Sequence, residues 1–116
     1  MEIKTIGDIA VVNSETPLVA DAQSALDLIA SVGHECGVHK IALNKAAVSE
    51  DFFKLSTGIA GEVVQKFVNY GYRLAIVGDF SAYTSKPLRD YIYECNNGRH
   101  LCFVANEHEA ADKLGE

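Results

Sequence analysis

Four short apolar runs, "DIAVVN", "VHKIALN", "RLAIVGD" and "HLCFVAN", alternate with longer stretches whose apolar residues recur every three or four positions. This alternation constrains the fold most, because strands joined through helices pair in parallel by right-handed crossovers. The first run follows "EIKTI", and the Gly7-Asp8 step between them suits a two-residue hairpin turn. Strands are therefore expected at 2–6 and 9–13, with the hairpin adding an antiparallel edge.

The intervening stretches read as helices. "DAQSALDLIASVG" sets Ala22, Ala25, Leu26, Ile29 and Val32 on one face, with Asp21 as N-cap and Gly33 as the stop. "VHKIALN" (38–44) is a short buried strand. In "KLSTGIAGEVVQKFVNYG" (54–71) the inner face is Ile59, Ala60, Val63, Val64, Phe67 and Val68. Glu62 and Lys66 lie outside and Gly71 ends the helix, which at about fourteen residues is ~21 Å long. After the strand "RLAIVGD" (73–79), a third helix takes Ser85 as cap, Pro87 in its first turn and Gly98 as stop, and buries Leu88, Tyr91, Ile92 and Cys95. "HLCFVAN" is the last strand, and Asn106 with Glu109 opens a short final helix carrying Ala110 and Leu114. The expected order is β-β-α-β-α-β-α-β-α. It describes an α/β fold with a mixed, mostly parallel sheet, in one domain over 1–116.

Composition removes several functions. With 48% apolar and 22% charged residues in 116, the chain can bury a core without staples. Its net charge of −6 repels phosphate backbones and anionic lipid, so neither nucleic acid nor a membrane surface is an expected partner. Three cysteines without a C-x-x-C, and charges already at Glu2 and Lys4 in place of an apolar leader, point to a cytoplasmic protein. No cofactor and no metal are expected. In "HECGVH" the histidines stand five apart across Gly37, not at the i, i+4 spacing of H-E-x-x-H. Cys95 and Cys102 fit core thiols, and no catalytic triad is defined by the order of residues.

Parallel sheets bind ligands beyond the carboxyl ends of their strands. Here that edge collects the 44–57 loop, the 79–85 loop and the Asn106 turn. Ser56-Thr57-Gly58 heads the second helix there: either hydroxyl serves as a cap for free backbone N–H groups, or the same positive helix end accepts an anion or an attached phosphate. Gly58 and Gly61 each cost helix stability, which close packing or close approach of a ligand would offset. Adjacent Phe52 and Phe53 cannot both face one core from an extended segment. One is expected to plug the core and the other to seal a pocket or a subunit contact. Asp51 and Asp79 either converge to hold a cation or share a proton, or each caps a turn or a helix. Ser81 and Ser85 share the second loop, and Arg89, one turn into the third helix, is suited to bidentate carboxylate or phosphate recognition.

From "SEDFFKLSTGIAGEVVQKFVNYG" through "LAIVGDFSAYTSKPLRDYIYECNNG", the chain closely resembles the bacterial family catalogued as domain of unknown function 4180, over nearly its whole length. More distantly, the element order and the run from "ALN" to "LSTGIAG" are similar to the STAS fold of anti-sigma-factor antagonists. That resemblance implies a kinase partner that phosphorylates the second hydroxyl of a Ser-Ser-Gly or Ser-Thr-Gly step. Here this hydroxyl falls on Thr57, with Ser56 before it and Gly58 after. Leu55 stands where those proteins usually carry an acidic residue, and the loop containing "SEDFF" is a few residues longer.

The first functional reading is a non-enzymatic regulatory or protein-interaction module, switched by phosphorylation at Thr57 or Ser56. Its surface would carry Asp51, Phe52, Phe53, Gly58, Asp79, Ser81, Ser85 and Arg89. The alternative is a domain binding a small molecule or anion at the same edge, an enzyme included. A further alternative is an oligomerisation module, a homodimer being the simplest case. No reaction is written in these residues.

Overall fold

The computed structural model describes residues 1–115. Five strands, β1 (Glu2–Ile6), β2 (Ile9–Asn13), β3 (Lys40–Asn44), β4 (Arg73–Val77) and β5 (Leu101–Val104), lie in one sheet in sequence order. β1 and β2 form the antiparallel hairpin, and every other neighbouring pair is parallel. Four helices, α1 (Ala22–Glu35), α2 (Ile59–Asn69), α3 (Lys86–Asn96) and α4 (Glu107–Leu114), complete the expected order. Between β3 and α2 the chain adds short 3-10 turns at Lys45–Ala47, Glu50–Phe53 and Leu55–Thr57.

The alternation of side chains along each strand splits the core in two. Ala10, Val12, Ile41, Leu43, Leu74, Ile76 and Phe103 point to one face, which α1, α2 and α3 cover through residues such as Val32, Phe67 and Leu88. Ile9, Val11, Ala42, Ala75, Cys102 and Val104 point to the other, under Ala110 and Leu114 of α4. Inner strands buried on both faces explain why their sequences read as continuous apolar runs. Among the described residues, no helix is long and apolar enough to cross a membrane.

Three boundaries depart from expectation. Gly33 does not stop α1, which runs on to Glu35 and ends at Cys36 and Gly37, the latter at φ 66°. Gly33 serves packing instead: a Cβ there would stand 2.9 Å from the hydroxyl of Tyr72. The buried face of α1 also includes Leu28, whereas Leu26 is only half-buried. α2 is 11 residues long rather than fourteen, because Leu55–Thr57 winds as a 3-10 turn and Gly58, at φ 76°, resets the chain before the helix starts. That left-handed conformation is cheap only for glycine. α3 closes at Asn96, two residues before Gly98.

The expected caps are made. Asp21 accepts from the backbone N–H of Ser24 in a capping box, Ser85 accepts from that of Leu88, and Asn106 from that of Glu109.

Candidate functional site

Asn44 and Val77 are register partners at the ends of β3 and β4, so the residues that follow them emerge side by side at the carboxyl edge. Lys45 follows one strand, Gly78 and Asp79 the other. The contact is close: a Cβ on Gly78 would lie 2.7 Å from the Cβ of Lys45.

From this position Lys45 enters a cluster that local sequence patterns do not reveal. Its Nζ lies 3.4 Å from Oε1 of Glu50, and 5.0 and 5.7 Å from the ring centres of Tyr83 and Phe53. The Tyr83 hydroxyl donates to the Glu50 carboxylate, at 3.0 and 2.9 Å from its two oxygens. Burial pushes the Tyr83 phenol above its ordinary range. Hydrogen bonding to Tyr83, with Glu50 adding to it, raises Lys45. The three side chains thus join the end of β3, the 50–53 turn and the β4–α3 loop. The available signal was topological: residues just beyond neighbouring parallel strands meet, whatever their separation in sequence.

Phe52 and Phe53 are both buried, at 1% and 4% exposure, so neither supplies the outward ring expected of the pair. The segment is not extended. Ser49 accepts from the N–H of Asp51 and starts a 3-10 turn, whose side chains fan out about 120° apart. The sunken turn therefore drives both rings inward. They meet edge-on at 5.2 Å, and Phe53 stacks on Tyr83 at 4.9 Å with 16° between the planes.

Ser56, Thr57 and Gly58 are exposed at the head of α2. The Thr57 hydroxyl lies 2.9 Å from the Asp51 carbonyl and 2.8 Å from the Lys54 carbonyl, donates its single proton between them, and accepts from the N–H of Ile59 at 3.2 Å. It is a cap and a tie between two turns. Ser56 makes no side-chain hydrogen bond among the described residues. A Cβ on Gly61 would meet nothing within 4 Å, so packing inside this chain is not what that glycine serves.

Asp51 and Asp79 keep separate partners. Asp51 pairs with Lys54 at 3.4 Å on the surface. Asp79 accepts from the N–H of Ser81 at 2.9 Å. Hydrogen bonding from Ser81, its hydroxyl first and then its amide, holds the Asp79 carboxyl below the usual carboxylate range, and the Lys45 charge adds to this. Stability from this carboxylate is therefore fully present above the unfolded value, ~3.9, and is lost as pH falls through the lower folded value. NMR titration is expected to give Asp79 a midpoint below that of a free aspartate, and Asp79→Asn is expected to flatten acid unfolding in that interval. An unshifted midpoint contradicts the Ser81 contact.

Ser85 is committed to capping α3. Arg89 is exposed, and its guanidinium has no partner among the described residues. It lines an open groove of about 1010 Å³ between the β4–α3 loop and α3.

The sequence pattern of a family described as "Domain of unknown function (DUF4180)" matches residues 5–114. The chain belongs to this family. No curated protein matches the DUF4180 chain. Among solved structures, it is similar to a crystal structure from Thermotoga maritima described as a candidate anti-sigma factor antagonist. The two share 18% identity and a TM-score of 0.54, over 99% of this chain and 94% of that one. At that identity the likeness establishes the fold: the DUF4180 chain has the STAS-like α/β architecture.

Proposed function

We propose that this DUF4180 protein is a regulatory protein-interaction module whose partner surface is the Ser56-Thr57-Gly58 turn, flanked at the carboxyl edge by Asp51 and Asp79. Phosphorylation of a hydroxyl in that turn switches the partner on or off. One observation carries the reading: in a STAS-like fold, two exposed hydroxyls stand at the head of α2. The likeness to a protein described as a candidate anti-sigma factor antagonist supports a role in binding another protein.

The two hydroxyls would switch differently. A phosphate on Thr57 removes the proton given to the carbonyls of Asp51 and Lys54 and brings negative charge against those oxygens, which loosens the 50–57 turns. A phosphate on Ser56 breaks no bond and adds charge near the positive end of α2. Thr57 alters shape and charge, Ser56 charge alone.

Intact mass of protein from its native source, with and without phosphatase, is expected to show one removable phosphate that maps to residue 56 or 57. Capture from native lysate is expected to differ between Thr57→Glu or Ser56→Glu and the matching alanine variants. Protein that never carries phosphate, together with a partner retained equally by all four variants, overturns the switch.

A second reading, a small anionic ligand at the same edge, is favoured by the unpartnered Arg89. A thermal-shift screen separates it, since a ligand at 100 times its Kd adds ~2.7 kcal/mol.

A further inference from the structure

We infer that the groove between the Phe80–Thr84 loop and α3 docks an acidic linear segment of a partner protein, with Arg89 taking a carboxylate and Tyr93 packing on an apolar side chain two residues away. The inference rests on the reading of the chain as a protein-interaction module, and it supplies the partner's chemistry.

The lining is mixed: Phe80, Tyr83 and Ile92 give an apolar part beside the polar and charged Ser81, Thr84, Arg89, Asp90 and Asn96, in an open space of about 1010 Å³. Small ligands are held in concave sites that bury 70–90% of their surface. An open trough suits a chain that runs through it. Tyr93 lines the groove and is 72% exposed, the most exposed large apolar side chain among the described residues. Tyr and Arg are the residue types that most often dominate protein interfaces.

Charge selects the occupant. Lys86, on the rim, is neutralised by Asp90 at 2.7 Å, so the uncompensated charge is that of Arg89. The chain as a whole carries −6. An acidic segment is repelled by most of the surface and attracted here, which gives register as well as attraction. Spacing selects the pattern. Arg89 and Tyr93 stand four apart on α3 and so share a face, roughly 6 Å from one another at Cβ. In an extended peptide, residues two apart point the same way at about 6.8 Å. The matching motif is a Glu or Asp, any residue, then an aromatic or branched aliphatic residue, in either direction.

The test is selection from a random-peptide display library on the immobilised full chain, followed by anisotropy titration of labelled selected peptides. Arg89→Glu, Arg89→Lys and Tyr93→Ser proteins are compared, each checked for native circular dichroism. Enrichment of the acidic-x-apolar pattern is expected, with binding roughly ten-fold weaker to Arg89→Glu and partly retained by Arg89→Lys. No enriched peptide, enriched peptides lacking an acidic residue, or binding indifferent to Arg89→Glu overturns the inference. A phosphatase-sensitive partner that ignores Arg89→Glu also overturns it while leaving the Ser56–Thr57 switch standing.

Discussion

Phe53→Ala is expected to lower the unfolding free energy by about 3–5 kcal/mol in a denaturant titration, the range for removing a buried aromatic ring. The ring is 4% exposed and touches four others: Phe52, Phe80, Tyr83 and Phe103. Its loss leaves a hole where the β3–α2 and β4–α3 connections meet β5, and no neighbour can fill the hole without giving up its own contacts. Tyr83→Phe is the control, because it keeps the stacked ring and drops only the hydroxyl donated to Glu50, at a cost of about 1 kcal/mol. A loss below about 1 kcal/mol for Phe53→Ala, or equal losses for the two variants, contradicts the packing described.

This cluster bears on the proposed switch through connectivity. Glu50 and Phe53 belong to the turn that also presents the Asp51 carbonyl to Thr57, while Tyr83 belongs to the loop that walls the groove beside Arg89. The surface around Ser56 and the groove therefore rest on one shared set of rings. Phe53 and Tyr83, which stack at 4.9 Å, are the contact between the 50–53 turn and the loop that walls the groove.

Features with a local cause were legible in the sequence. Gly7-Asp8 between two β-rich runs yields the hairpin at the residues expected, and Asp21, Ser85 and Asn106 cap the helices they precede. The alternation of strands and helices made legible the order of elements and a mostly parallel sheet with an antiparallel edge. What escaped was set by distant partners. Gly33 looks like a stop until Tyr72 packs against it, and the tertiary contact overrides the local signal. The Phe52-Phe53 pair reads as part of an extended loop, whereas Ser49 winds it into a turn and both rings lie inward. Tyr83 and Glu50 lie 33 positions apart, and no periodicity connects them. In the candidate site, the Ser56-Thr57-Gly58 turn stood out as a motif, but the internal commitment of the Thr57 hydroxyl depends on two carbonyls that only the 3-10 turns bring into reach.

Gly78→Ala is expected to destabilise the protein by about 1–3 kcal/mol through overpacking, although alanine ordinarily suits a backbone better than glycine. Gly78 does not sit in the left-handed region, so conformational freedom is not the reason for it. The reason is contact: the new methyl would lie 2.7 Å from Lys45 Cβ and 3.1 Å from its Cδ. The nearer atom is attached to the backbone and cannot swing away, so relief requires the ends of β3 and β4 to part. Gly78 is further held by its N–H, which donates to the Val104 carbonyl at 2.9 Å. A double-mutant cycle separates this cause from others. Lys45→Gly deletes the clashing Cβ and is expected to restore much of the stability lost in Gly78→Ala, relative to Lys45→Gly alone. Lys45→Ala retains that Cβ and is expected to restore little, even though it removes the same ammonium group. Equal rescue by both would assign the clash to the Lys45 side chain beyond Cβ, whose Cδ would lie 3.1 Å from the new methyl, and a neutral Gly78→Ala would remove the steric basis altogether. The steric outcome means that the carboxyl edge is built around backbone-to-side-chain contact at Lys45. Asp79, the next residue, then owes its position beside that lysine to the glycine before it.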